Sequence, residues 1–225
     1  MPESVDPRHL LLVGAGPGVG AGVVRRFGRE GFRSTLISRG GAALDQLGTD
    51  LRGDGLEIET VGQDIEDLDG YRATLERIFG VAGAPGVAVY NAAIPDPGAI
   101  LDATVDRLRT AYDIDVLGAV VMAQVAAPVL RVAGAGTLLF TNGGFAEHPV
   151  PALASLSMGK AALRAAATLI AAGVQEDGIH AATVTIAGQV VPGTAFDPDN
   201  IAELFWTAHA DPRDAWQTQY RFTGA

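Results

Sequence analysis

Short apolar runs alternate with helical patterns from one end of the chain to the other, and that alternation leaves few folds open. The run at 9–13 (His9, Leu10, Leu11, Leu12, Val13) ends in glycines and reads as a strand buried on both faces. Further strands are predicted at 34–38, 56–61, 86–90, 137–141, 180–186 and 217–222. Between them the spacing predicts helices at 18–30, 42–51, 68–79, 104–130, 154–172 and 198–209. Pro128 marks a kink or the last turns of the fourth helix. Asp197 is placed to cap the last helix, and Pro198 suits its first turn. Such alternation predicts an α/β chain, a doubly wound parallel β-sheet with helices on both faces, in a single domain over 1–225.

The first strand runs into Gly14, Ala15, Gly16, Pro17, Gly18, Val19 and Gly20, and then into a helix. Glycines here turn the chain tightly and let backbone N–H groups approach a pyrophosphate, while the helix N-terminus adds partial positive charge. The position after strand one makes this a Rossmann-type dinucleotide site, with Gly14, Gly16, Gly18, Val19 and Gly20 as cofactor residues. The second strand ends in Ile37, Ser38 and Arg39. An acid about twenty positions beyond the glycines would grip the ribose hydroxyls of NAD. None is present; Ser38 leaves room, and Arg39 can pair a 2′-phosphate. NADP(H) is therefore favoured over NAD(H). Asp64 ends the third strand, where it can either accept from an adenine amino group or cap the next helix.

The 16 Lys+Arg against 26 Asp+Glu give a net charge of −10, which disfavours nucleic acid as a partner. With no cysteine there is no disulfide framework, thiolate metal site or Cys nucleophile, and no metal site is expected. The start MPESVDPRHL lacks a leader pattern, and the apolar stretch 10–24 is broken by five glycines and a proline. These features predict a cytoplasmic protein with a small-molecule substrate and no membrane partner.

The residues resemble the short-chain dehydrogenase/reductase family over nearly the whole chain. Gly14, Gly18 and Gly20 match its spaced glycine turn, and Asp64-Ile65 matches its Asp-Val/Ile adenine contact. Tyr90-Asn91-Ala92-Ala93 resembles its Asn-Asn-Ala-Gly, with Asn91 and Ala92 kept. The stretch 113–118 resembles the central-helix segment that usually carries an Asn, and 157–162 the Lys-containing start of the next helix. The resemblance implies cofactor contacts from Asp64, Ile65, Asn91, Ala92 and Lys160. It also implies a proton-transferring Tyr four residues before the Lys, an upstream Ser that holds the substrate carbonyl, and a central-helix Asn that anchors a water relay. Those three positions fall on Leu156, Gly143 and Asp115. The cofactor set is kept and the acid–base set is not.

Three explanations fit. The first is a reductase with a relocated donor, His148 in the loop after strand five, with Lys160 and Asp115 in support and Tyr90, Tyr112, Ser155 and Ser157 as further candidates. Asp115 orients Lys160 or a water, or else forms a plain structural pair. The second is chemistry without a tyrosine proton, such as reduction of an activated C=C or an iminium or a redox-neutral isomerisation, with Asn142 and the backbone at Gly143 and Gly144 holding a carbonyl. The third is nucleotide binding without turnover. Against the long mobile lid that the resemblance implies, the segment after strand six is short, so the substrate pocket is expected to be open or completed by a neighbouring subunit. Phe196 is expected as a lining residue, and Phe205 and Trp206 as lining or helix-packing residues. The alanine-rich helix at 154–172 is apolar on almost every face, which predicts a partner surface. In the family this helix and the one at 104–130 build the dimer interface, so a homodimer or homotetramer is expected.

Overall fold

A computed structural model describes residues 5–224. Its seven strands are β1 (Val5–Val13), β2 (Arg33–Ser38), β3 (Ile58–Gly62), β4 (Ala84–Tyr90), β5 (Gly136–Gly143), β6 (Ile179–Ile186) and β7 (Gln219–Phe222). The helices are α1 (Val19–Gly28), α2 (Ala42–Gly53), α3 (Leu68–Ala82), α4 (Val105–Tyr112), α5 (Gly118–Ala133), α6 (Ala154–Val174) and α7 (Pro198–Ala210). All seven strands are parallel, in the order β3-β2-β1-β4-β5-β6-β7. The order reverses between β1 and β4, which opens a crevice at their carboxyl ends.

Alternate residues of the central strands feed two cores. Leu11, Val13, Ala88, Tyr90, Leu138 and Phe140 pack with α3, α5 and α6 on one face. Leu10, Leu12, Val87, Val89, Leu139 and Val184 pack with α1, α2 and α7 on the other. Each large aliphatic side chain so buried contributes roughly 1.5–3 kcal/mol, so the strands that read as apolar runs are the ones held most firmly. Helix α7 lies directly on α1: a Cβ at Gly22 would stand 2.5 Å from the Pro198 carbonyl oxygen. Arg25 binds Asp199 at 2.7 Å across the same contact.

Several local expectations are corrected or narrowed. The helix predicted at 104–130 is α4 and α5 joined by a π-helical turn, Asp113–Leu117, and it runs on past Pro128. Strand β5 extends to Gly143 because Asn142 and Gly143 pair with Thr185 and Ile186, so both residues leave the predicted loop. Asp64 does not cap α3; Asp67 does, accepting from the Gly70 N–H at 3.0 Å. Phe196, expected to line the pocket, packs instead on Phe222 with ring centroids 5.5 Å apart, and for Phe205 and Trp206, which pack within the α7 face, the packing reading is the one observed. The rod at 105–133 is long and apolar enough to cross a membrane by length and composition, yet its Ala119, Met122, Ala126 and Leu130 are spent on the sheet.

Candidate active site

Gly14 has φ +83°, and a Cβ there would stand 2.2 Å from the Ala92 nitrogen. The N–H groups of Gly14 and Ala15 both donate to the Ile37 carbonyl, at 2.9 and 3.0 Å. Asn91 closes the turn by donating from Nδ2 to the Gly14 carbonyl at 2.9 Å. A Cβ on Gly16 or Gly18 would meet nothing within 4 Å, so that part of the turn faces open space. At Gly20 a Cβ would stand 3.2 Å from the Leu12 side chain, as a glycine that lets helix and strand approach should. Beside it, Val19 opens α1, which has no side-chain cap and no acid in its first turn. Its free N–H groups and dipole favour an anion.

A cleft of about 370 Å³ opens beside the turn, and Gly14, Arg39, Asp64, Ile65, Asn91 and Ala92 all line it. These six predicted cofactor residues are thus brought together. Ser38 and Arg39 stand at its lip; Arg39 is exposed and, among the described residues, has no hydrogen bond or ion pair. Asp64 is exposed and accepts from the Glu66 N–H at 3.1 Å. The open space over Gly16 and Gly18, the unopposed helix terminus and the unpaired guanidinium fit a dinucleotide with an extra phosphate. Ile94 and Ile114 also line the cleft and were missed by sequence reasoning, because what each contributes is a backbone group. The Ile94 N–H donates to Asp115 Oδ1 at 2.8 Å, and the Ile114 carbonyl accepts from the Tyr90 hydroxyl.

Behind that wall lie Asp115, Lys160 and Asn142. The π-helical turn aims Asp115 inward, fully buried, with Oδ2 unpartnered. Burial raises its pKa to about 6, against the pull of the Ile94 N–H and the Lys160 charge. Lys160, the chain's only lysine, is buried and donates to the Thr141 carbonyl at 2.9 Å. Burial lowers its pKa to about 8, and Asp115 resists that shift. The two influence each other through space without forming an ion pair. Asn142 spends its amide locally: Nδ2 donates to the Lys160 carbonyl at 3.2 Å, and Oδ1 accepts from the Gly143 N–H at 2.8 Å. It therefore ties β5 to α6 rather than presenting its amide to a ligand.

The other candidates stand apart. His148 is exposed in the loop after β5, and its ring makes no hydrogen bond among the described residues. Tyr90 is fully buried, its pKa raised by burial and then by Asp115, which unfits it as a donor. Ser155 and Ser157 are buried and donate to the carbonyls of Asp96 and Leu153, while Tyr112 is exposed on α4. Leu156, four residues before Lys160, is buried.

The profile of one family, described as short chain dehydrogenase, matches residues 8–195. The chain belongs to the short-chain dehydrogenase family. Its similarity to Short-chain dehydrogenase/reductase SDRA of Arabidopsis thaliana is 25% identity over 215 residues, covering 95% of this chain and 80% of that protein. With L-xylulose reductase of Homo sapiens it shares 31% identity over 127 residues, 56% of this chain and 49% of the reductase. L-Sorbose reductase of Gluconobacter frateurii, solved with NADPH and L-sorbose, has the same fold at TM-score 0.88 and 19% identity, over 100% of this chain and 98% of that one. A metagenomic short-chain oxidoreductase solved with NADP matches at TM-score 0.85 and 20% identity, over 98% of this chain and 100% of that one. In this member of the family the position four before Lys160 is the apolar Leu156.

Proposed function

We propose that the chain is an NADP(H)-dependent oxidoreductase acting on a small molecule with a proton donor other than tyrosine. The observation that carries the cofactor choice is Arg39, exposed at the cleft lip, without a partner among the described residues and with no acid beside it at the end of β2. NADP and NADPH in two solved structures of the same fold support it. Bound in the cleft, the nicotinamide supplies or accepts a hydride.

The chain's own residues then divide the remaining work. The glycine turn and the start of α1 hold the pyrophosphate, Arg39 pairs the 2′-phosphate, and Asp64 and Ile65 flank the adenine. Reduction of a carbonyl needs one proton, and a placed acid is worth about 10²–10⁴ in rate. Leu156 has none to give. Lys160 and Asp115 are the buried groups placed to release or take up a proton near neutrality, with pKa values near 8 and 6. His148, exposed in the loop after β5, is the further candidate donor, and Asn142 positions Lys160 by holding its backbone. The apolar Leu156 favours one second reading, a protein that binds the dinucleotide without turnover.

Calorimetry with NADPH, followed by NADPH oxidation across carbonyl, enone and imine substrates, tests both, with Lys160→Ala and His148→Ala as controls. Binding with turnover lost in Lys160→Ala supports the enzyme. Binding with no consumption by any class leaves the second reading, and no uptake of NADPH or NADH removes both. The same proposal has the chain as a homodimer or homotetramer through the helices at 104–130 and 154–172. Exposed Val132 on α5 and Leu169 on α6 support it, and sedimentation reads the mass.

A further inference from the structure

We infer that the substrate taken beside the dinucleotide is uncharged and largely apolar, and that anionic substrates are excluded; this rests on the oxidoreductase reading above. Three segments stand at the carboxyl edge of the sheet where β4, β5 and β6 end: 91–104, 144–153 with the first turn of α6, and 187–197. They form one continuous rim. The Gly98 N–H donates to the Ala152 carbonyl at 2.9 Å, and a Cβ on Gly144 would lie 3.9 Å from the Ala187 Cα.

No Lys or Arg occurs in any of these segments. Their acids are mostly engaged: Asp96 with Arg107, Glu147 with both Arg164 and Arg221, and Asp197 with the N–H groups of Gly193 and Asp199. Asp102 is exposed and, among the described residues, unpaired. The arginines that reach the rim are thereby neutralised from within the fold. Lys160 lies behind it, buried and turned to the Thr141 carbonyl. The one basic side chain in these segments is His148, exposed at the tip of the loop after β5. A carboxylate or phosphate placed away from it would lose water and gain no cation, which costs free energy in proportion to its burial. What the rim offers instead is hydrocarbon. Ile100, Leu101, Val190 and Val191 are exposed large apolar side chains, Leu101 at 95%. Such side chains bury an apolar substrate body and leave its one oxygen to the site.

The test compares three probes on the NADPH-loaded protein by calorimetry: a medium-chain methyl ketone, the keto acid of equal chain length, and a ketohexose. NADPH uptake is measured first, so failure of the cofactor reading shows there and failure of this one shows in the ranking. The ketone is expected to bind about tenfold or more tightly than the keto acid, because the lost hydration of the carboxylate is not replaced. Leu101→Arg, at an open surface position, is expected to close that gap by at least about threefold, since it supplies the missing cation. Equal or tighter binding of the keto acid overturns the charge argument. Tighter binding of the ketohexose overturns the apolar one, and binding of none of the three overturns both.

Discussion

The Asp115 carboxylate lies against Gly159, so close that a Cβ at 159 would stand 2.5 Å from Oδ2. A glycine on α6 is what makes room for a charged group on the π-helical turn. That carboxylate has one partner, the Ile94 N–H, and its second oxygen is buried without any.

A pH dependence of stability follows. Burial holds the folded-state pKa of Asp115 at about 6, above its ordinary 3.8, so between these values the folded chain keeps a proton that the unfolded chain has released. The contribution is complete below the lower value and is lost as the pH rises through 6. Asp115→Asn, which keeps an acceptor for Ile94, is expected to flatten this decline by on the order of 2 kcal/mol between pH 4 and 7. Urea unfolding across that range reads it. Parallel curves for both proteins would mean that Asp115 does not titrate there.

His9 and His209 act in the opposite direction. Burial lowers each to about 4 from 6.5, helped by the Arg33 charge at His9 and by His180 at His209. Below 6.5 the unfolded chain binds the extra proton, so the contribution is whole above that value and is lost as the pH falls through 4. His209→Gln is expected to remove on the order of 2 kcal/mol of acid destabilisation between pH 7 and 4. Acid titration followed by circular dichroism measures it; an unchanged acid midpoint would contradict the assignment.

The glycine turn separates fold from binding. Gly14→Ala meets backbone at 2.2 Å and a φ of +83°, and is expected to cost on the order of 3 kcal/mol or more. At Gly16 the added methyl meets nothing within 4 Å, so Gly16→Ala should fold normally. Its dinucleotide affinity is expected to fall about tenfold or more, because the backbone can no longer close on the pyrophosphate. Thermal melts and calorimetry of the two variants decide the matter, and equal melting losses would refute it.

Arg39→Ala should distinguish the two dinucleotides. Loss of one charge-assisted contact at an exposed site is expected to weaken NADPH about tenfold and leave NADH nearly unchanged. Equal losses for both would place the 2′-phosphate elsewhere.

The strands were legible because both faces of β1, β4, β5 and β6 are buried, and such strands show as unbroken apolar runs. The π-helical turn was not. Residues 105–133 keep a helical pattern throughout, and the slip in hydrogen bonding reflects where Asp115 must point, toward Ile94 and Gly159, which only the tertiary contacts specify. Asn142 read as a loop residue because it is polar, yet β6 carries the ladder past it and its amide works between strand and helix. Ile94 left no signal at all, since its part is played by a backbone N–H. The exposure of His148 follows from its neighbour: Glu147 is held by Arg164 on α6 and Arg221 on β7, partners far away in sequence.

The seating of α7 on α1 bears on how the chain is made. The outer face of α1 is covered by the last helix: Gly22 meets the Pro198 carbonyl, Arg25 binds Asp199, and Phe27 meets Trp206 with ring centroids 5.2 Å apart. On the ribosome that face of α1 stays uncovered while nearly the whole polypeptide is being added. A nascent product that stops short of Pro198 therefore exposes it permanently, and such a fragment belongs to chaperones or to proteases rather than to the folded pool.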